Sequence, residues 1–296
     1  MRPKLFGKFS ASKILHRSHF SLGSLVGATV AIVLLLSVTV GCSPGPTETR
    51  EDSFTVAGYA RLVVKSENGN IVVNAGAGNE VLIKATLTDA PRVKYELSQV
   101  GDSIIVDVKT SRPWWISTGA GADITITTPS HTDVELESSN GFIELQGLEG
   151  SGSLRTSNGK VTLDTVQGDF DVRTSNGRIE VSSMSGDGIF KTSNSKVDLR
   201  DVDGEYDIET SNSPIFFNGN MTAGGSNTLI TSNGAVTVEL TGTPSVLLDA
   251  ETSNGEVTSE LPILATITRE ERLVGKIGNG EAELYIRTSN SDVTIK

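Results

Sequence analysis

His131 is the only imidazole beyond residue 19, and Cys42 is the only thiol in the 296 residues. His131 lies in Thr-Pro-Ser-His-Thr-Asp, so Ser130 and Asp133 bring the residue types of a hydrolytic triad within four positions. A triad is defined by where three side chains converge, and neighbours along a strand point to alternate faces. No nucleophile-turn motif accompanies these residues, so they read as an exposed strand entrance. One Cys and one downstream His cannot build an intrachain disulfide or a Cys/His zinc site. Neither a metal nor a cofactor is expected.

The remaining candidates for chemistry are carboxylates and tryptophans. Asp169, Asp187 and Glu205 recur 18 residues apart. Stacked like charges call for a cation or for neutralising partners, and oxygen ligands alone would suit Ca²⁺. Basic residues recur with the same spacing at Lys160, Arg178 and Lys196, and at Arg155, Arg173 and Lys191. Pairing with these columns is expected to neutralise the acids without metal. A polysaccharide-cleaving enzyme would need carboxylates gathered around one sugar, whereas these acids follow the repeat. Both tryptophans of the chain are adjacent, in Arg112-Pro113-Trp114-Trp115. Two readings of Trp114 and Trp115 stand: contact with a glycan or membrane interface, or a cover over the end of the core.

The elements that must position these residues announce themselves by repetition. Thr-Ser-Asn, or Ser-Ser-Asn at the first site, places asparagine at Asn140, Asn158, Asn176, Asn194, Asn212, Asn233, Asn254 and Asn290. The steps are 18, 18, 18, 18, 21, 21 and 36 residues. Apolar residues keep the same columns: Ile143, Val161, Ile179, Val197 and Ile215 on one strand, and Leu154, Val172, Phe190 and Ile208 on the other. Alternation within each short run is that of a half-buried strand. Column-wise identity means that equivalent residues stack, so the fold expected is all-β, a parallel β-solenoid of about 18-residue coils. An antiparallel meander would invert alternate strands and lose those stacks.

Stacked asparagines form a structural amide ladder in this reading. Ser replaces Gly after the asparagine at 195, 213 and 291, so asparagine is expected to carry any left-handed conformation. Gly152, Phe170, Gly188 and Tyr206 alternate small and large, as rings laid over glycines would.

Residues 54–128 are rich in alternating strands but lack the repeat, and read as an N-terminal β cap or entry coils ahead of a solenoid spanning 129–296. Asn68-Gly69-Asn70 would be a degenerate first repeat. The 36-residue step contains a divergent coil or a hairpin covering the distal end. Because the chain stops soon after Asn290, little is expected to shield that edge.

Residues 1–41 hold five of the 25 basic residues and no acid, leaving 20 basic against 36 acidic residues in the rest. A body that acidic repels phosphate backbones, which disfavours nucleic acid as a partner. Basic residues, the apolar run Val26–Val40 and then Val40-Gly41-Cys42 follow the order of a secretory signal. The end of the run resembles a bacterial lipobox, which implies lipid attachment at Cys42. Thr39 stands where leucine is usual, so an uncleaved anchor helix is the alternative. Either way the body is expected outside the cytoplasm, held to the membrane through a flexible tether at 42–53.

The repeated TSNGxVxL and GDFDVRTSNG units, behind a signal and a β segment, resemble the bacterial putative-adhesin family over residues 54–296. The resemblance implies a β-solenoid in a membrane-tethered extracytoplasmic protein, and no catalytic residues. The expected function is therefore a non-enzymatic surface protein, adhesin-like or an envelope scaffold, whose partner is a glycan or a surface protein. The alternatives are an envelope sensing partner and, third, a polysaccharide-active β-helix enzyme.

Overall fold

The computed structural model describes residues 45–111 and 119–296. They form two sheets, of 12 and 13 strands, facing one another across one apolar core. Each repeat contributes one strand to each sheet and pairs in parallel with its neighbours. Gly152–Thr156 lies between Thr132–Ser138 and Phe170–Arg173, while Val161–Gln167 lies between Ile143–Gln146 and Ile179–Ser185. The register is column-true: Val161 pairs with both Ile143 and Ile179, and Leu163 with Leu145 and Val181. All six are buried. Fully burying such a side chain contributes about 1.5–3 kcal/mol, against about 0.2–1 kcal/mol for an exposed ion pair. The apolar file therefore holds the coils together.

Small and large residues alternate along one file as the sequence implied. Gly152 pairs with Phe170, Phe170 with Gly188, and Gly188 with Tyr206. A methyl at Gly152 would press on the Phe170 ring, and one at Gly188 would overlap the Phe190 ring. The small residues thus make room for the rings.

Both ends depart from simple winding. At the proximal end, Ala60–Ser66 and Ile71–Gly76 pair directly with the Asn140 coil. Ser103–Thr110 and Gly121–Pro129 come later in the chain but lie outside them. Residues 54–128 thus contain two coils in register with the repeats, flanked by the antiparallel strands Glu80–Thr88 and Val93–Val100. The 128/129 division falls within Gly121–Pro129. The tether expected at 42–53 is also shorter: Glu48–Thr55 is a strand, paired antiparallel with Glu80–Thr88 over eight residues. Its polarity suits a sheet edge, where charged side chains discourage further pairing.

At the distal end the order is again interleaved. Ala282–Arg287 sits between Ser226–Ile230 and Val246–Glu251, and Val293–Ile295 between Val236–Leu240 and Val257–Ser259. The last coil is therefore an interior rung, which corrects the expectation that it forms the exposed edge. The hairpin Leu264–Arg269/Arg272–Ile277 extends the 13-stranded sheet beyond Val246–Glu251. Of this hairpin, which falls within the 36-residue step, the inner strand buries Leu273 and Ile277 while Leu264–Arg269 is exposed throughout.

Left-handed asparagines are not found. None of the eight asparagines, nor Gly141, Gly159, Gly177, Gly234 or Gly255 after them, has a positive φ. Those glycines answer a different constraint. A Cβ on Gly177 would overlap the carbonyl oxygen of Gly159 in the neighbouring coil, and one on Gly159 would overlap that of Gly141. Gly177→Ala should therefore cost about 3 kcal/mol, as forced overpacking does. Gly58→Ala, which meets open space at an ordinary φ, should stay within about 0.5 kcal/mol of the parent. Urea unfolding of the two variants checks the contrast.

Candidate functional site

The recurring tripeptide builds a turn that each coil lays on the previous one. Asn158 Nδ2 donates to Asn140 Oδ1 at 2.9 Å, Asn176 to Asn158 at 2.8 Å, Asn194 to Asn176 at 2.7 Å and Asn212 to Asn194 at 2.8 Å. The file continues from Asn233 to Asn212, from Asn290 to Asn233 and from Asn254 to Asn290. At the proximal end Asn140 donates to Asn68, which adds a ninth member. The spatial order near the end is thus 233, 290, 254, following the interleaved coils.

Threonine, whose role the sequence reading passed over, is the more buried partner in this turn. Thr156, Thr174, Thr192, Thr210, Thr231, Thr252 and Thr288 are all buried. The Thr192 hydroxyl donates to the Gly177 carbonyl at 3.1 Å, and Thr288 donates to Gly234 at 2.9 Å. Within its own turn, Thr156 accepts the Gly159 N–H and Thr174 the Gly177 N–H. The hydroxyl thus closes its own turn while gripping the coil behind. Strand alternation was the available signal, since it points each hydroxyl inward with the apolar residue two positions before it.

The acidic file has a structural partner, but not the basic columns. Asp169 Oδ1 accepts the Asp187 N–H at 3.0 Å, and Asp187 Oδ1 accepts the Glu205 N–H at 3.0 Å. Asp133 serves Ser151 in the same way at 2.8 Å. These carboxylates satisfy main-chain donors at a corner of the coil. Burial pushes the Glu205 carboxyl above its ordinary range, and the neighbouring Asp187 adds to the rise.

The basic columns pair elsewhere. Lys160 and Arg178 converge on Glu180 at 3.1 and 3.0 Å, and Lys196 and Arg200 on Asp198 at 2.6 and 3.0 Å. Arg173 holds the buried Asp171 with two hydrogen bonds, of 2.7 and 3.2 Å. The hydrogen bond from Arg178 holds the Glu180 carboxyl below its usual range. For Asp198 burial acts upward, but Lys196 and Arg200 outweigh it and the net shift is downward.

Ser130, His131 and Asp133 do not converge as a triad. His131 Nδ1 lies 3.3 Å from Glu149, while Asp133 accepts the Tyr59 hydroxyl at 2.9 Å. The Ser130 carbonyl accepts the Glu149 N–H at 2.8 Å. Among the described residues no group of three or more His, Cys, Asp or Glu side chains is placed to hold a metal ion. Cys42, Trp114 and Trp115 lie outside the described residues.

The geometry separates the two halves of the turn by burial. Thr192→Val leaves the buried Gly177 carbonyl short of its partner and should cost about 1–3 kcal/mol. Asn194→Ala removes an exposed rung and should cost about 0.5–1.5 kcal/mol. Equilibrium unfolding should rank the threonine above the asparagine; the opposite order would move the main contribution to the amides.

The chain is similar to several proteins of known structure and to one family model. Among solved structures, a putative adhesin from Bacteroides fragilis is 9% identical, with 84% of this chain and 97% of that chain covered and a TM-score of 0.44. A putative adhesin from Parabacteroides distasonis is 12% identical with the same coverages and a TM-score of 0.42. A putative lipid binding protein from the same organism is 14% identical, again with 84% and 97% covered, at 0.35. At these values no residue role transfers from them. No curated protein matches the chain. The family model described as Toastrack DUF4097 matches residues 59–296, in accord with the resemblance carried by the repeats, and the chain belongs to that family.

Proposed function

We propose that this chain is a non-enzymatic bacterial surface protein, tethered to the membrane at its N-terminus and working as an adhesin or envelope scaffold. The observation that carries this reading is how the repeated polar side chains are used. Asparagine amides, threonine hydroxyls and the corner carboxylates all bond from coil to coil. Their recurrence follows from the stacking of coils, and no reaction is needed to explain it. Binding then falls to the lateral faces and to segments that break the repeat, among them Trp114 and Trp115, with a glycan or another surface protein as partner. Location follows from the N-terminal order of charge, apolar run and Val40-Gly41-Cys42.

Two variants of the full chain test the proposal. Cys42→Ala should shift the protein from the membrane to the soluble fraction; full retention there would replace lipid attachment with an uncleaved anchor. Trp114→Ala/Trp115→Ala should abolish binding to cells or glycans with the melting temperature unchanged. Unfolding of that variant would instead make the two tryptophans part of the cap. Recovery of one stoichiometric protein partner, with no glycan bound, would favour the sensing role over adhesion.

A further inference from the structure

In a repeat protein, a binding site is best sought where a file of equivalent residues stops repeating. One corner file does so conspicuously. Ala60 pairs with Thr132, which makes the preceding Tyr59 and His131 equivalent, and His131 bridges to Glu149 and Glu149 to Gln167. The file goes on through Ser185 and Asp203. Two rings therefore succeed one another at its proximal end and polar residues follow. No other outward-facing file among the described residues places two aromatic rings in successive coils.

The rings are nearly parallel and stacked, their planes 24° apart and their centroids separated by 6.4 Å. Each is pinned by its polar edge. The Tyr59 hydroxyl donates to Asp133 Oδ1, and that oxygen is itself fixed by the Ser151 N–H. His131 Nδ1 faces Glu149. Partial burial of the hydroxyl, reinforced by Asp133, pushes the Tyr59 phenol up to about 12, so it stays a donor. Pinned rings are ordinarily packed over, yet Tyr59 is 53% exposed and the His131 side chain 64% exposed. One coil outward from Tyr59 the chain turns at Gly101, which carries no side chain and has open space around it.

Exposed, immobilised ring faces flanked by carboxylate acceptors suit the C–H face and hydroxyl groups of a sugar. Acidic ligands meet Asp133 and Glu149 and are repelled. We propose that Tyr59 and His131 form a stacking ledge for neutral or N-acetylated sugar rings, with Asp133 and Glu149 beside it as hydroxyl acceptors. The ledge deepens the adhesin reading and rests on its glycan form.

The test is binding of the full chain, in detergent, to a panel of neutral, N-acetylated and uronate oligosaccharides, read by saturation-transfer NMR and titration. Wild type should bind neutral or N-acetylated members and leave uronates unbound. Tyr59→Ala and His131→Ala should each weaken binding about tenfold, the scale of one lost ring contact, with melting temperatures near the parent's. Tyr59→Phe keeps the ring but frees its tether, and should fall between. If wild type binds and both alanine variants bind equally well, the ledge is wrong while the adhesin reading stands. Preference for uronates would also overturn the ledge. If wild type binds no member of the panel, the glycan form of the adhesin reading falls as well.

Discussion

Main-chain hydrogen bonding between coils sets the distance that everything else must respect. Parallel strands lie about 4.8 Å apart, and at the Ser-Asn-Gly turn the carbonyl of one coil lies where the next would carry a Cβ. Glycine relieves that contact at 141, 159 and 177. Equivalent side chains are then brought into register at the same spacing. Any residue type able to bond to a copy of itself or to its neighbour's main chain is useful at every coil. Asn, Thr and Asp each meet that condition differently. Amide bonds to amide, the hydroxyl joins a carbonyl behind and an N–H in its own turn, and carboxylate accepts the following N–H.

That economy separates structure from function within the chain. Files of identical polar residues are accounted for by the winding itself, and the paired charges on the outer faces keep those faces solvated. What remains to be explained are the departures: the aromatic corner at Tyr59 and His131, the tryptophan pair and the distal hairpin. A surface protein built this way can vary its exposed departures without disturbing the apolar files, because neighbouring coils interact mainly through backbone and core.

The parallel solenoid was legible because Ile143, Val161, Ile179 and Val197 repeat a position as well as a pattern. The ring-over-glycine file at Gly152, Phe170, Gly188 and Tyr206 was legible for the same reason. Coil order was not. A period reports which residues are equivalent, but it does not say which equivalent coil lies next to which, so the placement of Asn290 between Asn233 and Asn254 left no mark in the spacing. Spacing also failed to assign partners. Asp169, Asp187 and Glu205 bond to main-chain N–H groups that every sequence offers, so only geometry distinguishes them from acids awaiting a lysine. Glu48–Asp52 looked like tether because a charged edge strand has the composition of a linker. At the corner, Tyr59 and His131 are 72 residues apart in the sequence, and no local motif links them.

Disulfide trapping at the distal end tests the stacked and interleaved winding most directly. Neighbouring rungs bring equivalent positions within the Cα separation a disulfide requires, about 4.4–6.8 Å, and alternate rungs do not. Asn233→Cys/Asn290→Cys, 57 residues apart, should close an intrachain disulfide under mild oxidation. Asn233→Cys/Asn254→Cys, closer in sequence but one rung further in space, should remain reduced. Ready closure of the second pair with failure of the first would mean that the coils wind in simple chain order and contradict the account.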